Sequence, residues 1–126
     1  MHKSQLAGII IDCQADDLDL AAAFWSAALG LRAEADPRAD ESRYRHLDTQ
    51  PDEMHIDVQK VNHGSRVHLD IETDNIEAEV ARLESLGATR ITHIHSWVVM
   101  EAPTGQRFCV VNPQRANFDQ SANTWD

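Results

Sequence analysis

The chain has 126 residues and a mass of 14.1 kDa, one domain's worth of protein, with 42% apolar and 25% charged residues. Eleven Lys and Arg against 21 Asp and Glu give a net charge of −10, which argues against nucleic acid as a partner because phosphate binding needs a basic face. No apolar run has the length of a membrane helix, the N-terminus has no secretory apolar region, and Cys13 and Cys109 are too few for a disulfide scaffold. These features predict a soluble cytoplasmic protein with no membrane partner.

The segment Leu6 to Cys13, with its β-branched Ile9-Ile10-Ile11 run, predicts a buried strand. An aspartate of Asp16-Asp17 then caps a helix over Leu18 to Leu29, and Gly30 stands where a helix end favours a left-handed residue. Leu31 begins a second strand, which runs into a polar loop over residues 35–41. Tyr44 to Asp48 and Met54 to Val61 are expected as the arms of a hairpin, with Met54, Ile56 and Val58 alternating with His55, Asp57 and Gln59.

After a linker at residues 62–65, Val67, Leu69 and Ile71 alternate with His68, Asp70 and Glu72, the period-2 pattern of a strand with one polar face. Thr73-Asp74-Asn75 supplies cap chemistry for a helix with an apolar stripe of Ile76, Val80, Leu83 and Leu86 opposite Glu77, Glu79 and Glu84, stopped by Gly87. Strands are predicted at Ala88 to Ile94, Trp97 to Glu101 and Arg107 to Val111, with a turn at residues 102–105 between the last two. Residues 114–126 read as a polar tail, although its Phe118 and Trp125 suggest that it folds over the binding face or a partner chain.

The two halves repeat one another. The helix-ending Gly30 and Gly87 are 87 − 30 = 57 residues apart, and the caps Asp17 and Asp74 have the same spacing, 74 − 17 = 57. Each half is a βαβββ unit. A four-stranded sheet with one helix covers only one of its faces. The expected fold is therefore α+β: two modules, about 6–61 and 66–113 of a single domain 1–113, pairing into a curved mixed sheet, a cup, with the helices outside and a tail over 114–126. Such a cup lines a concave face with alternate polar residues, where a small-molecule site is expected.

The order of Ala15-Asp16-Asp17-Leu18, Ala23-Phe24-Trp25, Leu29-Gly30-Leu31, Arg66 to Ile71 and Glu101 to Val111 resembles the vicinal-oxygen-chelate superfamily (glyoxalases, bleomycin-resistance proteins and extradiol dioxygenases), nearest its glyoxalase-like domain branch. The resemblance implies homodimers and, in metal-dependent members, a divalent ion held by the first and last strands of each half. Only His68 matches such a position cleanly. The first-half counterpart falls at Ile10 or Ile11, Cys109 stands where a glutamate belongs, and Asp57 or His55 occupies the remaining position. The missing ligands argue against glyoxalase I activity itself.

Three readings follow from these residues. The first is a protein that binds a small organic molecule without the full metal site, with Asp12, His55, Asp57, Asp70, Trp97 and Cys109 as ligand contacts. The second is a lyase, isomerase or dioxygenase using a divalent ion (Zn, Ni, Fe, Mn or Mg), with His68, Asp57 and His55 as candidate ligands. The third is a metal-free enzyme in which His68 transfers a proton with Asp12, Asp57 or Asp70. Cys13 and Cys109, both in apolar strands, are expected to be inert thiols, and His93 and His95 are expected as a same-face pair.

Overall fold

A computed structural model describes residues 1–35 and 43–126; the polar loop expected at 35–41 lies almost wholly outside the described residues. The chain is α+β, and its elements divide between two compact units, Gly8–Val67 on the one hand and Met1–Ala7 with His68–Asp126 on the other. Both βαβββ repeats are present, and the second is followed in sequence by elements the repeat does not contain.

Within Gly8–Val67, strand β1 (His2–Gln14) contributes its residues from Gly8 onward and pairs in parallel with β4 (His55–Val61). Antiparallel pairing then carries the sheet through β3 (Tyr44–Leu47) to β2 (Ala33–Ala35). Helix α1 (Leu18–Leu29) begins as its sequence dictates. The Asp17 carboxylate accepts from the amides of Asp19 and Leu20, and the helix ends on Gly30 at φ 71°. Its buried Leu18 and Ala22 cover one sheet face, where Ile11, Cys13, Leu47 and Val58 form the core and Trp25 packs against them. Gly8 is required by close approach, because a side chain there would overlap the backbone carbonyl of His55.

In the other unit, β5 (Arg66–Thr73) pairs in parallel with β8 (Arg107–Val111), and antiparallel β7 (Trp97–Glu101) and β6 (Thr89–Ile94) complete the sheet. Helix α2 (Ile76–Ser85), capped by Asn75, lays Val80 and Leu83 on Val98, Met100 and Val110. Two expectations for this helix fail. Leu86 is largely exposed, since it is already the C-cap rather than part of the stripe. Glu79, expected on the solvent side, is fully buried because it has partners there. Arg82 donates to both its carboxylate oxygens at 2.9 and 2.8 Å, and His2 Nε2 lies 2.8 Å away.

The C-terminal segment is ordered on this same unit rather than trailing as a polar tail. Buried Glu72 accepts from the amides of Gln114 and Arg115 at 2.5 and 2.9 Å, and from Gln5 Nε2 at 2.6 Å. The short helix α3 (Phe118–Ser121) buries Phe118, and β9 (Asn123–Trp125) pairs with His2–Ser4 of β1. The two aromatics that looked out of place in the sequence are thus anchors: Phe118 is core, and Trp125 Nε1 donates to Ser4 Oγ at 2.8 Å.

Candidate functional site

On β5 the alternation is plain, but solvent sits on the apolar side. Val67 and Leu69 are 58% and 46% exposed, whereas the side chains of His68 and Asp70 are 14% and 21% exposed and Glu72 is fully buried. A solvated open sheet face would show the reverse order. The polar stripe is therefore the sheltered one, and shelter for polar groups requires partners or a ligand.

Parallel pairing sets Asp70 opposite Cys109, so the thiol lies on the same face as Asp70 and, two residues back, His68. The ligand atoms of His68, Asp70 and Cys109 all lie within 4.8 Å of one another. His68 Nε2 is 3.5 Å from Asp70 Oδ1. Cys109 is half-buried, so its expected character as a core thiol does not hold: the apolar Phe108 and Val110 that flank it in sequence point to the other face, into the core beneath α2. Cys13 does keep that character. It is buried on the α1 face, and burial, helped by the nearby Asp12 charge, pushes its thiol up despite a hydrogen bond with Trp25.

Trp97 begins β7 on the face that carries Val99, the partner of Cys109, and its ring lies 5.5 Å from that of His95. The pairing of His93 with His95 on one strand face does not survive, because β6 ends at Ile94 and His95 turns the chain at φ 49°. Glu101 and Arg107 close the other end of the face with an ion pair at 2.9 Å.

The remaining sequence-predicted residues sit in the Gly8–Val67 unit. Gly8, Ile10 and Asp12 on β1 are register partners of His55, Asp57 and Gln59 on β4, on the face away from α1. Asp12 is buried, with Arg66 Nε 3.8 Å from its Oδ2. Asp57 accepts from a residue the sequence reading did not single out: His46 Nδ1 lies 2.7 Å from Asp57 Oδ1, and the His46 and His55 rings are 5.6 Å apart. The signal for His46 was present, since a hairpin that pairs Tyr44 with Gln59 pairs His46 with Asp57.

Of the four positions the superfamily's ion would use, the first-half one on β1 brings no donor atom, at Ile10 or at Ile11. The other falls on β4, where Asp57 is hydrogen-bonded with His46 and the His55 ring lies 5.6 Å from that of His46. The donors His68, Asp70 and Cys109 lie close enough together that they could hold an ion, and their nitrogen, oxygen and sulfur suit borderline metals such as zinc better than magnesium.

A fold of two βαβββ modules with its polar stripe sheltered defines a vicinal-oxygen-chelate protein. More narrowly, the family model for the glyoxalase-like domain matches residues 8–111, and the chain belongs to that family. Among solved structures, methylmalonyl-CoA epimerase from Mycobacterium tuberculosis is similar at 17% identity over 86% of this chain and 87% of that one, with a TM-score of 0.63. A Streptomyces coelicolor methylmalonyl-CoA epimerase in complex with 2-nitronate-propionyl-CoA is similar at 15% identity over 89% and 97%, TM-score 0.53. An extradiol ring-cleaving dioxygenase from B. fuscum is similar at 14% identity, with 87% of this chain covering 32% of the larger one, TM-score 0.57. At these identities the likeness is one of fold. No curated protein sequence matches significantly.

Proposed function

We propose that this chain binds a small organic molecule against the polar face of its second module, with His68, Asp70 and Cys109 as the contacts that select it. The observation that supports this is the convergence of these three side chains within 4.8 Å on the more sheltered face of β5. A site of this kind offers a proton-exchanging imidazole, a carboxylate and a polarisable thiol in one place, with Trp97 along the same face as an apolar wall. That the similar epimerases are named for an acyl-CoA substrate is compatible with a carbonyl-bearing ligand. His68 is the residue placed to exchange a proton with such a ligand, with Asp70 holding the imidazole. The chain is proposed to act as a homodimer in the cytoplasm, without nucleic acid, as one domain over 1–113 whose C-terminal segment closes onto it.

Ligand-observed NMR of the full chain against a library of small ketones, carboxylates and phenols tests this reading. At least one compound is expected to bind, and its signal to vanish in His68→Ala and weaken in Cys109→Ser. A library without a binder, or binding untouched by both substitutions, refutes the site.

A second reading is favoured by the donor set itself: the same three side chains hold a divalent ion. Bound there, an ion would polarise neighbouring oxygens of the ligand. His68 would supply nitrogen, Asp70 oxygen and Cys109 thiolate. Stoichiometric metal in untagged protein, lost in His68→Ala, supports it.

A further inference from the structure

Helix α1 covers its sheet with Leu18 and Ala22 and turns its other side to solvent. Leu20 is 71% exposed and Phe24 62%, and Ala23, Ala27 and Ala28 on the same outward side are exposed as well. Leu20 and Phe24, one turn apart, form a ridge, and the row of Ala23 and Ala27 beside it is a shallow groove. Phe24 is braced, because its ring meets Trp25 edge-on with centroids 5.0 Å apart and Trp25 packs on the core. No charged residue stands between Leu20 and Leu31, in a chain with 25% charged residues and a net charge of −10.

We propose that this side of α1 is the contact between two copies of the chain, their α1 helices crossing antiparallel about a two-fold axis beside Phe24. The proposal rests on the homodimer of the proposed function and adds the surface that makes it. Charge favours a second copy. Two chains of −10 repel where their acidic surfaces meet, whereas a charge-free strip lets them touch without burying an unpaired ion. The antiparallel crossing also turns the exposed Asp16 and Asp17 at the start of one helix toward the end of the other. There Arg32 is 77% exposed and approaches Glu34 and Asp48 only to 3.7 and 3.8 Å. Shape agrees, since a two-fold sets the Leu20–Phe24 ridge of each copy into the alanine groove of the other, a self-complementary contact. So does area. The outward apolar side chains of α1 present ~400 Å² per copy, a patch of the size that marks interaction sites. Two copies bury ~800 Å² of apolar surface, which at the ~60% apolar share of interfaces corresponds to ~1,300 Å² in all, within the range of specific complexes.

Sedimentation velocity of the full chain at micromolar concentration is expected to show a dimer. Phe24→Glu should raise its dissociation constant about a hundredfold, because the two-fold places the lost ring and the added charge in the contact twice. Leu86→Glu, which changes a similarly exposed apolar residue at the end of α2, should leave the dimer intact. Both side chains are exposed, so circular dichroism and thermal unfolding of the two variants should match the parent. Mild oxidation should link Ala23→Cys into a reducible dimer faster than the parent chain, whose Cys13 is buried and Cys109 half-buried. A dimer that survives Phe24→Glu overturns this contact and leaves the homodimer standing on another surface. A dimer in which Ala23→Cys links no faster than the parent overturns the antiparallel crossing, and a monomeric parent overturns the homodimer and its contact together.

Discussion

Arg82 lies flat against Trp125, its guanidinium carbon 3.9 Å from the ring centroid, while its nitrogens grip both oxygens of Glu79. Helix α2 therefore holds the last strand of the chain through a cation–π contact, and Ser4 holds the same indole by a hydrogen bond. Replacing Trp125 with Ala removes the stacking, the hydrogen bond and part of the packing of β9. The expected loss is about 2 kcal/mol, below that of a fully buried tryptophan because this one is only half-buried. Urea unfolding should show a lower midpoint with an unaltered slope, and Thr124→Ala, exposed on the same strand, should leave the midpoint in place.

Glu79 makes the same cluster sensitive to acid. Burial alone would raise its carboxyl, but hydrogen bonds from Arg82, His2 and Ser4, with the Arg82 charge, outweigh burial and hold it below the ordinary value of 4.5. A carboxyl that is more acidic folded than unfolded contributes stability above its unfolded value and loses it as pH falls through the folded one. Stability should be flat from pH 7 to about 5 as far as this group is concerned, then decline below about 4.5. Glu79→Gln should cost about 3 kcal/mol at pH 7, since it removes the buried countercharge of the half-buried Arg82 guanidinium, and should flatten the acid limb. Thermal unfolding followed across pH 3 to 7 reads both effects, and a variant whose acid limb matched the parent would remove Glu79 as its cause.

Much of the frame was legible because local chemistry and the tertiary fold agree in it. Helix α1 matches its predicted span, the Asp17 cap and Gly30 end were both readable, and the 57-residue repeat gave both modules. What was not legible depends on groups distant in sequence. Nothing near Glu79 announces His2, 77 residues away, and nothing near Phe108-Cys109-Val110 tells which way the thiol faces until β8 is registered against β5. The alternation on β5 gave two faces but not their exposure, and that Val67 and Leu69 of the apolar one are 58% and 46% exposed was not readable from it. The C-terminal segment looked polar because its contacts are spent on backbone amides and one indole rather than on an apolar stripe.

Gly8 tests the close crossing of β1 and β4. Its backbone meets His55 so tightly that any Cβ overlaps the carbonyl oxygen, a contact with backbone rather than with a side chain that can swing aside. Gly8→Ala should therefore push the strands apart over the pairs from Gly8–His55 to Gln14–Val61, at a cost of about 2–3 kcal/mol. Hydrogen exchange of the β4 amides should rise first. Exchange indistinguishable from the parent would mean that the two strands have room the geometry denies.

The trio on β5 and β8 makes a prediction that separates an ion from an organic ligand. A thiolate bound to cobalt(II) gives a sulfur-to-metal charge-transfer absorption in the near ultraviolet, which neither imidazole nor carboxylate produces. Titrating the apo chain with cobalt(II) should bring up that band at one equivalent, with zinc(II) displacing it and magnesium leaving it intact, the order expected for a nitrogen, oxygen and sulfur donor set. Cys109→Ser should abolish the band while retaining weaker binding, and His68→Ala should lower affinity about tenfold or more. Cys13, buried on the opposite side of its sheet under α1, is the internal control: Cys13→Ala should leave the spectrum unchanged. Absence of the band from the parent chain would refute the ion and leave the organic-ligand reading to stand on the NMR screen alone.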